Sequence, residues 1–208
     1  TLNAGTPYTF LVKSELTSTS GGVTWRLNCP VLTPPANDNC AGAATLTSNV
    51  SCSVTFGDVT NATSSGVTGC AGTPDDDIWY KFTATNTTHT ITVDGSTNFD
   101  AVVDLRSGGA FPGTCNGSNL ACADNTGSDG IETITYASCV VGQVYFVRVY
   151  DYYTGTPATS VFTICVTNPA PPPPANDLCG GAIVVSSYPY TSPIINTASA
   201  LDGAETSI

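Results

Sequence analysis

Positive charge is scarce in this chain. Only five of its 208 residues are lysine or arginine, against sixteen aspartate and glutamate residues, and the formal net charge is −11. The basic residues are scattered along the sequence, at Lys13, Arg26, Lys81, Arg106 and Arg148. Nucleic acids and anionic membranes are poor partners for such a surface, and we expect neither a nucleic-acid interface nor a membrane contact.

Other absences narrow the function further. No apolar run approaches the length of a membrane span, and no 3.6-residue periodicity is sustained. The chain lacks methionine and starts at Thr1, so a missing leader says nothing about secretion. It has no GxSxG element, phosphate loop or dinucleotide motif. The one histidine, His89, lies in the Thr-rich stretch THTITV, and we expect a surface strand residue rather than a base. We predict no enzymatic activity.

Cysteine, by contrast, is abundant. Nine cysteines with little other reactive chemistry indicate an oxidising compartment, and therefore an extracellular, secreted or cell-surface protein. A surface that is acidic and rich in threonine fits that location or contact with cations.

A long-range repeat organises the chain. PPANDNC at residues 34–40 returns as PPANDLC at residues 173–179, and a whole-domain period of 139 residues separates Cys40 from Cys179. AGTPYTFLV near the start resembles VGQVYFVRV at 141–149 in the same way. We therefore predict five segments of a tandem array: the last strands of one repeat (1–29), a linker (30–36), a complete repeat (37–167), a Pro-rich linker (168–175) and the first strands of the next repeat (176–208).

The central repeat is predicted to be all-β. Short stretches of alternating apolar residues are separated by turns rich in Gly, Asn and Asp. In DIWYKFTAT (77–85), Ile78, Tyr80 and Phe82 share one face, and Trp79 and Lys81 share the other. Strands at this spacing without helices favour an antiparallel β-sandwich of jelly-roll or immunoglobulin-like type, in tandem repeats.

The cysteines allow several pairings, and the sequence does not decide among them. Cys115–Cys122 is the natural local pair, and Cys52–Cys70 is the next. Either Cys29–Cys40 and Cys165–Cys179 close across their linkers, or Cys40 pairs with Cys165 inside one repeat. Cys139 is left over, and we favour a buried thiol over an interchain disulfide.

Acidic residues cluster, and too few basic residues exist to pair with them. Calcium takes six to eight oxygen ligands from flexible loops of this kind, so we predict a Ca²⁺ site in the repeat. The alternative for each cluster is a set of solvated Asx turns. A recurrent Asn-Asp beside each linker would place an ion at each junction. The candidate ligands are Asp38, Asp75, Asp76, Asp77, Asp124, Asn125, Asp129, Glu132 and Asp177.

Tyrosines flank Asp151 in VYDYYTG. Tyr150, Tyr152 and Tyr153 could stack on sugar rings, and the alternative is cross-strand packing at a strand end.

Several segments together resemble a known family. ANDNCAGA, PDDDIWYKFTAT, FDAVVDLRSG and VGQVYFVRVYDY are similar to a secreted tandem β-sandwich repeat of Bacteroidetes-type bacteria, related to pre-peptidase C-terminal-like and CUB-like domains. The resemblance implies stalk, adhesin or accessory domains on large secreted proteins, and some related sandwiches bind calcium or glycans.

Two functions follow from these observations. The first is an extracellular structural repeat of a filament, stalk or adhesin, stabilised by disulfides and calcium, in which copies of the chain polymerise head to tail. The second is a carbohydrate-binding or adhesive accessory module of a large secreted protein, with polysaccharide as its partner.

Overall fold

A computed structural model describes residues 33–108, 117–155, 157, 160–174, 179–181 and 184. All of them belong to one unit of the chain, Thr33–Ile208. The strands predicted for residues 1–29 and 176–208 lie outside this description, apart from a 3₁₀ turn at Cys179–Gly181. Helix in the described part is limited to that turn and a second one at Cys40–Gly42. No helix there has the length and apolarity that crossing a bilayer requires.

Ten strands build two sheets. They are β1 (Ala44–Thr45), β2 (Ser48–Asn49), β3 (Thr55–Asp58), β4 (Ile78–Thr83), β5 (His89–Gly95), β6 (Ala101–Ser107), β7 (Asn119–Ala123), β8 (Ile131–Tyr136), β9 (Val144–Asp151) and β10 (Val161–Thr167). The first sheet has the order β1-β4-β9-β6-β7. The second has the order β2-β10-β5-β8, and β3 also pairs with β10. The predicted all-β sandwich is confirmed.

The strand pairing differs from the prediction at the start of the domain. The pairs β1–β4 and β2–β10 are parallel, whereas the other pairs are antiparallel. Only Leu46 and Thr47 separate β1 from β2, so the two strands run in the same direction while the chain crosses from the first sheet to the second. One extended segment therefore covers an edge of each sheet, which protects edges that could otherwise pair with another chain.

The main core lies between the two sheets and is built from alternate residues of each strand. Ile78, Tyr80 and Phe82 face this core, as their alternation predicted. Trp79, on the opposite face of β4, is also buried, and it packs with Phe146 in a second, smaller cluster. Both faces of the first sheet are therefore covered here, and β9 is buried along nearly its whole length.

The outer cover of the first sheet is the long connection between β3 and β4, residues 59–77. Val67 of this loop packs on the Trp79 cluster, and the Tyr150 hydroxyl donates to the Ala71 carbonyl over 2.7 Å. The three consecutive aspartates Asp75–Asp77 end this loop, so the conformation of the loop determines where their carboxylates lie.

Candidate functional site

Arg148 lies beneath the 59–77 loop, on the outer face of β9. Its Cζ is 5.4 Å from the Trp79 ring centroid and 5.0 Å from that of Tyr150. The guanidinium, which is fully buried, donates to Asp104 Oδ2 over 2.6 Å and to Asp77 Oδ2 over 3.3 Å. Two buried carboxylates thus share one cation held between two aromatic rings, and Asp104 also pairs with Arg106 over 2.8 Å.

The same guanidinium holds the loop in place. It donates to the Val67 carbonyl over 2.6 Å and to the Thr68 carbonyl over 2.9 Å. Asp77 in turn accepts the Ser65 N–H over 2.7 Å. Asp77, one of the candidate calcium ligands, therefore serves as a buried anchor between the loop and β9.

Four other carboxylates lie where β9 ends and where β4 and β6 begin. We call Asp75, Asp76, Asp100 and Asp151 the acidic end. Asp76 Oδ1 accepts the Asp151 N–H over 3.1 Å, and Asp151 Oδ1 accepts the Asp100 N–H over 2.9 Å. Asp75 Oδ2 accepts the Gly155 N–H over 2.8 Å. Asp75 Oδ1, Asp76 Oδ2 and Asp100 Oδ1 are buried without a hydrogen-bond partner.

The acidic end has no counter-charge among the described residues. The three ion pairs there all involve Asp77 or Asp104. Asp76 and Asp100 are each 5% exposed, so water does little to solvate them. Sequence reasoning did not include Asp100 and Asp151 among the ligands, because residues 51 apart meet only through the pairing of β6 with β9.

The protonation of these groups reflects the missing counter-charge. Burial, reinforced by the charges of Asp151, Asp75 and Asp77, raises the pKa of Asp76 to about 7. Burial also raises the pKa of Asp100, with repulsion from Asp124, Asp151 and Glu132. A carboxylate in this position either keeps a proton or takes up a cation.

Asn37 and Asp38, beside the linker, connect the start of the domain to β4 and to the 59–77 loop by hydrogen bonds. Asn37 forms two hydrogen bonds with the main chain of β4. Its main-chain carbonyl accepts the Trp79 N–H over 2.8 Å, and its side-chain Nδ2 donates to the Trp79 carbonyl over 3.1 Å. Asp38 accepts the Thr63 N–H over 2.6 Å and the Thr63 hydroxyl over 2.8 Å. These donors already occupy both Asp38 oxygens. Asp177 lies outside the described residues.

The loop after β7 is organised around Glu132, which is 1% exposed. The two oxygens of its carboxylate share the main-chain N–H of Asn125, at 3.0 Å each. Oε1 also accepts the Thr126 N–H at 2.7 Å and the Thr126 hydroxyl at 2.6 Å. Asp129 accepts the Asn98 N–H over 2.8 Å. Asp124 is half-buried, and burial together with the Glu132 charge raises its pKa. These contacts fit a hydrogen-bonded turn, the alternative that the sequence left open.

Among the described residues, no three His, Cys, Asp or Glu side chains form a group that could hold a metal ion. A cation at the acidic end would therefore have to draw most of its oxygen ligands from main-chain carbonyls and water. Calcium accepts such mixed ligand sets.

The disulfides correct the pairings expected from the sequence. Cys52 bonds Cys165, and Cys70 bonds Cys122. The expected pairs Cys52–Cys70, Cys115–Cys122, Cys40–Cys165 and Cys165–Cys179 are therefore wrong. Nearness in sequence is a poor guide to these pairs. Cys52 lies against β10 of the second sheet, whereas the 59–77 loop brings Cys70 to β7 of the first.

The other cysteines divide as follows. Cys40 is also disulfide-bonded. Cys29, Cys115 and the Cys179 side chain lie outside the described residues, so Cys29–Cys40 stays a prediction. Cys139 is a buried free thiol, as predicted.

His89 is not a surface residue, and this expectation was wrong. It is fully buried, and its Nε2 accepts the Thr85 and Asn86 N–H groups over 3.2 Å each. Nδ1 therefore carries the proton and donates to the Ser48 hydroxyl, 2.9 Å away. Burial lowers the pKa of His89, so it is a neutral structural residue with both nitrogens occupied.

The three tyrosines do not form one surface. Tyr150 is fully buried beneath the 59–77 loop and cannot stack on a sugar, so its proposed glycan contact is wrong. Tyr152 and Tyr153 are 38% and 61% exposed, and their rings meet edge to face at 5.2 Å. They stay candidates for a glycan contact.

A groove on the second sheet provides a different surface, which the sequence analysis missed. Its volume is about 240 Å³, and its lining includes Phe56, Asp94, Val161 and Thr163. Phe56 is 83% exposed, the highest value for any aromatic residue described. Alternation along β3 could have revealed it, because Phe56 shares a strand face with the charged Asp58 whereas Val59 is buried.

Asp94 is the polar group of this groove. It is exposed, and no hydrogen bond or ion pair joins its side chain to another described residue. Thr163 of β10 pairs with Phe56 on one side and with Asp94 on the other, so the three side chains share the outer face of the sheet. An exposed ring and a free carboxylate thus lie two strands apart on one surface.

The chain has similarity to a solved structure and to a family of sequences. The crystal structure of Aeromonas hydrophila PliG, a periplasmic lysozyme inhibitor of g-type lysozyme, is similar over 60% of this chain and 98% of its own, at 16% identity and a TM-score of 0.34. No curated protein matches the sequence. A family model for T9SS-associated, galactose binding domain-like sequences matches residues 36–164, which is more than half of the chain. The chain therefore belongs to this T9SS-associated galactose-binding-like family, a group of secreted Bacteroidetes β-domains.

Proposed function

We propose that the domain is a carbohydrate-binding accessory module of an extracellular or cell-envelope protein. The observation that carries the proposal is the groove at Phe56, where the most exposed aromatic ring described lies on the same face as the free Asp94 carboxylate. The family to which the chain belongs supports a binding role in that setting.

The chemistry of the groove suits a sugar. The face of an exposed aromatic ring packs well against the C–H groups on one side of a pyranose. A carboxylate accepts charge-assisted hydrogen bonds from hydroxyl groups, and no described residue competes for the Asp94 carboxylate. Binding sites commonly combine an apolar wall with a few polar groups that fix orientation.

The same groove supports binding rather than hydrolysis. Glycoside hydrolases use two carboxyl groups at a set separation across the scissile bond. Asp94 is the one acidic residue among the described residues that line the groove. The module would therefore retain a carbohydrate for the larger protein without cleaving it.

The test is retention of the full chain in affinity gels that contain galactan, xylan, β-glucan, pectin or chitin. We expect at least one polysaccharide to retard the wild type, and Phe56→Ala to lose that retardation. Tyr153→Ala is the matched control, since it removes another exposed aromatic ring that does not line the groove. Retardation by none of the five, or its loss in Tyr153→Ala but not in Phe56→Ala, would overturn the proposal.

We also propose that Ca²⁺ binds at the acidic end and stabilises the domain. The support is three buried carboxylate oxygens without a partner, on Asp75, Asp76 and Asp100, and the lack of a described cation near them. The ion would relieve the repulsion that raises the pKa of Asp76. Main-chain carbonyls and water would complete its shell.

Head-to-tail assembly is the second candidate function. The repeated PPAND motif favours it, because it indicates further copies of this domain along the chain. Asn37 and Asp38 latch the first copy of the motif to β4 and to the 59–77 loop. Sedimentation of the full chain tests this candidate: concentration-dependent polymers support it, whereas a monomer at all concentrations contradicts it.

A further inference from the structure

The Phe56 groove holds three of the four side chains of a longer row. Phe56 pairs with Thr163, Thr163 pairs with Asp94, and Asp94 pairs with Ile131. Residues directly opposite one another in a sheet point to the same face. The row therefore crosses β3, β10, β5 and β8 on the outer face of the second sheet.

The row has two apolar ends and a polar middle, and both of its ends are open to solvent. Phe56 and Ile131, at its two ends, are 83% and 54% exposed. Thr163 and Asp94 lie between them and offer a hydroxyl and a free carboxylate. Two apolar ends with polar groups between them can contact the C–H faces and the hydroxyls of successive sugar units.

The dimensions also fit a chain rather than one sugar. Neighbouring strands lie about 4.8 Å apart, so four strands place Phe56 and Ile131 roughly 14 Å from each other. The strand spacing is close to the length of one pyranose unit in an extended polysaccharide. A polysaccharide that crosses the strands would advance by about one sugar for each of the three strand spacings between Phe56 and Ile131.

We propose that this row binds an internal stretch of about three extended sugar units, with the polysaccharide running across the strands from Phe56 to Ile131. This inference rests on the proposed carbohydrate-binding function and adds the length and direction of the ligand. The groove, which extends from Phe56 to Asp94, would take two units, and Ile131 would contact the third.

Titration calorimetry of the full chain with galactose and with β-1,4-linked galacto-oligosaccharides of two to six units tests the length. We expect affinity to rise about tenfold between one and three units, which corresponds to 1.4 kcal/mol, and then to level off. Ile131→Ala should weaken the tetrasaccharide about threefold and leave galactose unchanged. Phe56→Ala should weaken both. Val140→Ala is the matched control, with the same 54% exposure outside the row.

The outcomes separate the two proposals. If galactose binds as tightly as the tetrasaccharide, or if Ile131→Ala has no effect, the extended row is wrong and the groove alone is the site. If none of these sugars binds, galactan is not the ligand and the carbohydrate-binding function fails for it. If Phe56→Ala and Ile131→Ala instead abolish self-association in sedimentation, the row is a contact between copies of the chain and the inference is overturned.

Discussion

The first sheet carries two groups of buried carboxylates, and they differ in one respect. Asp77 and Asp104 share the guanidinium of Arg148, which is enclosed by Trp79 and Tyr150. The acidic end, at Asp75, Asp76, Asp100 and Asp151, has main-chain N–H donors but no cation among the described residues.

This difference separates a structural role from a candidate site. Arg148 completes the first group, so its carboxylates have no capacity left for a ligand. In the second group, N–H donors satisfy some carboxylate oxygens and leave others buried without a partner. A buried charge that is not paired favours either protonation or a bound cation. Counting acidic residues in the sequence could not distinguish the groups, because Asp76 and Asp77 are neighbours in the chain.

The largest effect should follow from removing the cation of the first group. Arg148→Met leaves Asp77 buried without a counter-charge and leaves Asp104 with Arg106 as its remaining cation, and we expect a loss of about 3–5 kcal/mol in the free energy of unfolding, measured with urea. Arg106→Met is the control: it also removes a partner of Asp104, which keeps Arg148 and Asn119, so the loss should be much smaller. Equal losses in the two variants would contradict the central role of Arg148.

Asp76→Asn tests the unpaired charge of the second group through pH. Because the folded pKa of Asp76 is about 7 against an ordinary 3.8, the folded state holds its proton longer than the unfolded state. In EDTA, the stability of the wild type relative to Asp76→Asn should fall as pH rises from 3.8 to 7, by at most about 1.4 kcal/mol per unit and roughly 4 kcal/mol in all. Parallel urea midpoints across this range would refute the raised pKa.

Calcium should reverse the loss of stability that the wild type shows relative to Asp76→Asn in EDTA. At a calcium concentration one hundred times its Kd, the free energy of unfolding of the wild type should rise by about 2.7 kcal/mol relative to EDTA, because the ion binds only the folded state. Asp76→Asn should lose this gain. Magnesium at the same concentration is the control, since its stricter octahedral shell suits a site of this kind less well. Melting curves that coincide in calcium and EDTA would remove the proposed ion.

Asp38→Asn should have the smallest effect on the stabilisation that calcium gives. Thr63 already supplies donors to both Asp38 oxygens, so the change should lower stability by about 1–2 kcal/mol in calcium and in EDTA alike. The calcium-dependent increase in melting temperature should stay that of the wild type. Loss of that increase would show that the repeated Asn-Asp motif binds an ion after all.

Local patterns in the sequence predicted the strands well. The alternation at Ile78, Tyr80 and Phe82 was correct because a side chain on a strand faces the core or solvent with period two. Alternation along β5 places His89 on the same buried face as Ile91 and Val93, but the Thr-rich stretch around it led us to expect a surface residue. Trp79, on the opposite face of β4 from the main core, is buried as well. Trp79 is covered by the 59–77 loop, and His89 is enclosed by its own turn and by Ser48. Both covers depend on how the neighbouring turn or loop folds back over the strand, which alternation along the strand does not predict.

The disulfides illustrate the same limit in energetic terms. The bond between Cys52 and Cys165 spans 113 residues, and that between Cys70 and Cys122 spans 52. In the chain-entropy model, a disulfide that closes a loop of this length stabilises the folded state by roughly 4–5 kcal/mol, because it lowers the entropy of the unfolded chain. The two pairs stabilise more than local pairs would, but only the sheet that each segment joins brings the sulfurs together.

The sequence by itself determined the all-β architecture, the acidic and cysteine-rich character of the chain and the repeat of its linker motif, because composition, period-two alternation and turn residues act over short distances. The tertiary structure decided which aspartate received Arg148, which cysteines bonded and which aromatic ring stayed in solvent at Phe56. Those outcomes depend on strand order and on the course of the 59–77 loop, and both arise from contacts between residues that are far apart in the chain.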